Sequence, residues 1–110
     1  MTEADNQKVV AEYLDALHVL WFHPANEGKR SYGAANHLRA QGLKRGVPDI
    51  IILEPRGGYH GLAIEMKHGK NKPTEEQKEW LRALLARGWK AGICYNADAA
   101  IRVIRGYLGR

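Results

Sequence analysis

The chain has 110 residues, 17 of them Lys or Arg against 12 Asp or Glu, for a net charge of +5, with 45% hydrophobic and 26% charged residues. That composition excludes a disordered tail or a repeat array and allows one compact domain, residues 1–110, able to bury about two-thirds of its unfolded surface. Cys94 is the single cysteine, which excludes a disulfide framework and a cysteine-based zinc site. No apolar stretch approaches the ~18 residues of a membrane span, and Glu3 and Asp5 stand where a secretion signal would be basic. The expectation is a cytoplasmic protein with no membrane partner, whose positive charge favours a polyanionic one.

The first twenty residues predict a helix opened by Thr2 as N-cap, with Asp5 three positions on and Val10, Tyr13, Leu14 and Leu17 at helical spacing. A short strand follows over Trp21 to Asn26. From Glu27 to Arg45 glycines punctuate the chain, which predicts a long irregular segment carrying Lys29, Arg30, Arg39, Lys44 and Arg45. Gly46-Val47-Pro48 leads into Asp49 and a strand over Ile50 to Leu53, Gly57-Gly58 marks a turn, and Gly61 to Lys67 is the returning strand. Thr74 and Gln77 have capping-box spacing at the start of a second helix, whose buried stripe is Trp80, Leu81, Leu84 and Leu85 and whose end is Gly88. Lys90 to Tyr95 is a further strand, with Cys94 as a buried thiol, and Asp98 to Leu108 a closing helix. The order αβββαβα predicts an α/β fold, a mixed central sheet flanked by helices on both faces.

Side chains alternate along a strand, so Leu62, Ile64 and Met66 take the core face of the returning strand, while Glu65 and Lys67 share the other, roughly 7 Å apart. A two-residue turn at Gly57-Gly58 pairs positions that sum to 115, setting Asp49 across from Met66 and diagonal to Glu65, within a residue or so of register. Two carboxylates at one end of a hairpin, with a lysine and little else to neutralise them, suit a hard divalent cation such as Mg²⁺. Phosphodiester hydrolysis uses such a set, the cation polarising the phosphoryl oxygen and the ammonium orienting the nucleophile. Taken alone, the same residues also occur as a surface salt bridge beside a turn. The five histidines, His18, His23, His37, His60 and His68, show no metal-ligand spacing, which argues against a zinc nuclease.

The run Gly46-Val47-Pro48-Asp49, an apolar strand, Glu65-Met66-Lys67 and Gln77 on the next helix resembles the PD-(D/E)xK nuclease core. More narrowly, Glu65-Met66-Lys67, a Gly/Lys loop, Thr74-x-x-Gln77-x-x-Trp80-Leu81 and Gly88-Trp89 resemble the VRR-NUC branch over nearly the whole chain, although the Val-Arg-Arg tract of the family's name is absent. The resemblance implies a restriction-endonuclease-like αβββαβ core with an extra C-terminal helix, and an endonuclease dependent on Mg²⁺ or Mn²⁺. Small phage and bacterial members are similar to Holliday-junction resolvases, which implies branched DNA as substrate and a homodimer. By position, the resemblance makes Asp49 and Glu65 metal ligands, Lys67 the motif lysine, Met66 a ligand through its main-chain carbonyl, and Gln77 the helix glutamine.

An acid on the first helix completes the pattern. At 100° per residue Glu3 lies within roughly 20° of Val10, whereas Glu12 lies about 200° away, so Glu3 is the candidate and Glu12 is solvated. Glu3 also reads as a first-turn acid favoured by the helix dipole, and Gln77 as a cap residue. Lys29, Arg30, Arg39, Lys44 and Arg45, with Lys70 and Lys72, are the expected DNA-facing cations, binding phosphates without reading bases. Two alternatives stand beside the endonuclease: a non-catalytic basic DNA-binding module of the same fold, and a restriction-like nuclease with sequence specificity.

Overall fold

The computed structural model describes residues 1–24 and 32–110. Helix α1, Glu3–Leu17, opens with a reciprocal capping box: Thr2 Oγ1 accepts the Asp5 N–H at 3.1 Å and Asp5 Oδ2 accepts the Thr2 N–H at 2.9 Å. Caps of this kind are worth about 0.5–2 kcal/mol each. The two-residue strand β1, Trp21–Phe22, is followed by helix α2, Tyr32–Ala40, and strands β2, Ile50–Ile52, and β3, Leu62–Met66. Helix α3, Glu75–Ala86, then leads to strand β4, Lys90–Cys94, and helix α4, Ala97–Leu108, which Asn96 caps.

The sheet is mixed, in the order β1-β2-β3-β4, antiparallel except for the parallel pair of β3 and β4. Helices α1 and α4 pack together, and Val10, Leu14, Ala100 and Ile104 join Ile50, Ile52, Leu62, Ile64 and Met66 in one core. Helix α3 packs against β3 and β4. Strand β3 is thus central and buried along its whole length. Cys94 is buried in that core, which pushes its thiol pKa up. No described helix is long and apolar enough to cross a membrane.

Four expectations need correction. The basic segment is not wholly irregular: α2 occupies 32–40, where Ala34, Leu38 and Ala40 outweigh the ~1 kcal/mol cost of Gly33, and the Leu43 N–H bonds the Leu38 carbonyl to close it. The hairpin register is displaced by one, within the residue or so allowed for it, so that Asp49 faces Glu65 rather than Met66. Gly57 and Gly58, both at positive φ, turn the chain as expected and Arg56 bridges Tyr59, but β2 and β3 pair as Ile50 with Ile64 and Ile52 with Leu62, sums of 114 rather than 115. One extra residue on the Leu53–Pro55 side absorbs the difference, as a bulge beside a proline does. The first strand spans only Trp21–Phe22, and its expected extension beyond Pro24 lies outside the described residues. Leu85 leaves the α3 stripe at 52% exposure, because Leu81 takes the central position against the sheet.

A buried asparagine ties the first helix to the last. Asn6 Oδ1 accepts the buried Ala97 N–H at 2.9 Å, and its Nδ2 donates to the Thr2 carbonyl at 3.1 Å. The sequence signal is a polar residue in the i, i+4, i+8 stripe Asn6-Val10-Leu14. Asn6→Ala leaves the Ala97 N–H buried without a partner and is expected to destabilise the fold by about 1–3 kcal/mol, read as a lower urea midpoint at unchanged slope.

Candidate active site

The N-terminal turns of α1 and α3, the residues leading into β2 and the end of β3 enclose a cleft of about 380 Å³. Asp49, Glu65 and Lys67 line its floor, and Glu3, at the first turn of α1, joins them from one side. Lys44, Arg45, Thr74, Glu76 and Gln77 also line it.

Continuing the observed register places Asp49 directly opposite Glu65, where Cβ atoms of paired residues stand about 4.5–5.5 Å apart. Asp49 is turned by the sheet edge itself: its Oδ2 accepts the Met66 N–H at 2.8 Å, taking over where the β2–β3 ladder ends. Glu65 lies on the face toward α3 and is only 3% exposed, since both faces of β3 are covered. Its Oε2 accepts from Gln77 Nε2 at 3.3 Å, while Oε1 is buried with no hydrogen-bond partner. Burial pushes the Glu65 carboxyl up to about 9, helped by the hydrogen bond its protonated form gives Asp49 and by that acid's charge, opposed by Lys67 and reinforced by Glu3.

Gln77 makes two contacts at once. Its Oε1 accepts the Thr74 N–H at 2.9 Å, completing the α3 capping box, and its other end holds Glu65. Lys67 is half-buried at the end of β3, one residue past the Met66 main chain.

The basic residues divide. Lys44 and Arg45 line the cleft, whereas Arg39 on α2 and Lys70 and Lys72 beyond β3 do not, and Arg39 donates to Asn36 Oδ1 at 2.6 Å. Lys29 and Arg30 lie outside the described residues. Glu76 lines the cleft although only its neighbour Gln77 stood out in the sequence. The cleft wall depends on Gly46, at φ +81, where an added Cβ would stand 2.5 Å from the Glu76 carbonyl carbon and 2.7 Å from the Gln77 nitrogen. Gly46→Ala is therefore expected to push the Lys44–Arg45 loop off α3, costing about 1–3 kcal/mol of stability, read in the urea midpoint.

The donor set suits a hard cation. Half-buried Asp49 is paired with buried Glu65, one oxygen of Glu65 lacks a partner, and the repulsion between the acids, only partly offset by Lys67, is relieved further by a proton or a bound metal ion. Among the described residues no group of three or more His, Cys, Asp or Glu side chains converges to hold a metal, so Glu3 stands on the rim of the pair.

A family model for the VRR-NUC domain matches residues 1–98. A solved structure described as a VRR_NUC domain protein is 33% identical, with a TM-score of 0.77 over 99% of this chain and 89% of its own. A second, described as a VRR_NUC domain, is 24% identical with a TM-score of 0.63 over 96% of each chain, a likeness of fold. Among curated proteins none matches.

Proposed function

This chain belongs to the VRR-NUC domain family and has its nuclease-like fold, and from that premise we propose that it is an endonuclease that hydrolyses DNA phosphodiester bonds with Mg²⁺ or Mn²⁺. The observation that carries the reading is the pairing of half-buried Asp49 with buried Glu65, with Lys67, in a cleft that Lys44 and Arg45 also line. Asp49 and Glu65 would hold the cation, with the Met66 main-chain carbonyl as a further oxygen donor and Glu3, on the rim of the pair, reaching it only by a change of side-chain position. A divalent cation bound there supplies Lewis-acid stabilisation of charge on the phosphoryl group.

The chain's own residues do the rest. Gln77 fixes Glu65 and the Met66 N–H fixes Asp49, so both acids are held before substrate arrives. Lys67 donates to the attacking water and offsets negative charge as it develops on the phosphate. Lys44 and Arg45 neutralise backbone phosphates, so affinity falls with salt. Branched DNA as substrate and action as a homodimer follow the resolvase-like members of the family, since a four-way junction needs two cuts and a two-fold dimer supplies two sites.

Cleavage of a four-way junction, a flap and a linear duplex in Mn²⁺, by wild type and Asp49→Asn, tests this. The expected result is cutting of the junction by wild type and a loss of at least about a thousandfold in Asp49→Asn, on the order of 4 kcal/mol. Binding without cutting by wild type would favour the DNA-binding module, fixed fragments from linear DNA the restriction-like nuclease, and activity retained in Asp49→Asn would reject the site.

A further inference from the structure

Strand β1 is cut short beside the acid that follows Pro48. Trp21 pairs with Ile52 and Phe22 with Ile51, so the next positions in register bring His23 opposite Ile50 and Pro24 opposite Asp49. The Leu53 N–H donates to the Leu20 carbonyl at 2.8 Å, which makes Leu20 and Leu53 a hydrogen-bonded pair. Such pairs alternate along an antiparallel ladder, so Phe22 with Ile51 is the next, and Pro24 with Asp49 the one after. Pro24 has no N–H. The Asp49 carbonyl would lose its donor, but His23 Nδ1 stands 2.6 Å from it.

We propose that His23 is a positioning residue for the metal-binding acid, its Nδ1–H replacing the main-chain donor that Pro24 lacks and so fixing the backbone at Asp49. This rests on the nuclease reading of Asp49. The acid is gripped from both sides: its main-chain carbonyl by the imidazole, and its Oδ2 by the Met66 N–H at 2.8 Å. With both ends fixed, Oδ1 has little freedom to swing out of the cleft. The imidazole belongs to an exposed residue, does not line the cleft and takes no part in the core. Its contribution is therefore to the geometry of Asp49 rather than to the stability of the fold. A shift of about 1 Å in a ligand's position is enough to impair a site of this kind.

The test is binding of Mn²⁺ alone, by calorimetry on the full chain, for wild type, His23→Ala, His23→Asn, the double variant His23→Ala with Pro24→Ala, and Asp49→Asn. His23→Ala is expected to weaken Mn²⁺ binding about tenfold. Asparagine, whose amide N–H reaches where Nδ1–H does, restores it, and so does Pro24→Ala, which returns the ladder donor. In the metal-free wild type, ¹⁵N spectra of the imidazole should show the Nδ1–H tautomer for His23. Wild-type Mn²⁺ affinity in His23→Ala, a loss that neither asparagine nor Pro24→Ala repairs, or an Nε2–H tautomer would overturn the proposal. Should Asp49→Asn itself bind Mn²⁺ as wild type does, the nuclease reading fails instead, and the tautomer still judges the His23 contact on its own.

Discussion

Glu65→Gln is expected to raise the thermal midpoint of the metal-free protein at neutral and alkaline pH by at least about 10 °C and at the same time to abolish DNA cleavage in Mn²⁺. The carboxyl is held at about 9 in the fold against an ordinary value of 4.5. Between those values the folded chain binds more protons than the unfolded one, so stability is full below the lower, falls as pH rises, and is lost beyond the upper. At pH 7 the loss is on the order of 3 kcal/mol. Glutamine has the same shape, can still accept from Gln77 through its carbonyl oxygen, and never ionises beside Asp49. Differential scanning calorimetry in EDTA should show a midpoint that falls from about pH 5 to about pH 9 in wild type and a flatter profile in the variant. Mn²⁺ competes with the same proton, so its addition should stabilise wild type more at the alkaline end and Glu65→Gln hardly at all. A wild-type profile that rises over that window would remove the buried, uncompensated acid from the account.

Lys67→Ala is expected to lower single-turnover cleavage about a hundred- to a thousandfold while leaving Mn²⁺ binding within a few-fold of wild type. The ammonium sits in the cleft beside Glu65 but supplies no ligand to a cation, so its removal separates holding the metal from moving charge in the reaction. Lys67 also lowers the Glu65 pKa, so in Lys67→Ala the alkaline limb of the stability profile should move to higher pH. Equal cleavage by wild type and Lys67→Ala would take the lysine out of the chemistry. A parallel collapse of Mn²⁺ affinity would show that it acts only by ordering the acids.

How much of this was readable in advance follows from how far apart the interacting residues lie in the chain. Thr2 with Asp5, and Thr74 with Gln77, act within one helical turn, and both capping boxes form as their spacing implies. The turn at Gly57-Gly58 was equally local. The register that it sets was not, because one extra residue near Pro55 costs little in the chain yet moves Asp49 from across Met66 to across Glu65. The helix at 32–40 went unread because its glycine masked an alanine-rich stretch. Asn6 and Glu76 carried weak signals, one a polar residue in an apolar stripe and the other a neighbour of a stronger candidate.

The sequence by itself determined the α/β order, the capped starts of α1 and α3 and the identity of the acids and lysine that the cleft brings together, since hydrogen-bond capping, residue period and side-chain chemistry act over a few neighbours. Only the tertiary structure decided that Glu65 is buried from both faces, that Gln77 reaches it, that Gly46 seats the basic loop on α3, and that His23 stands in for the missing donor of Pro24. Those contacts join segments distant along the chain, and their strength depends on which groups are withdrawn from water together, a property of the packed sheet and helices rather than of any short stretch.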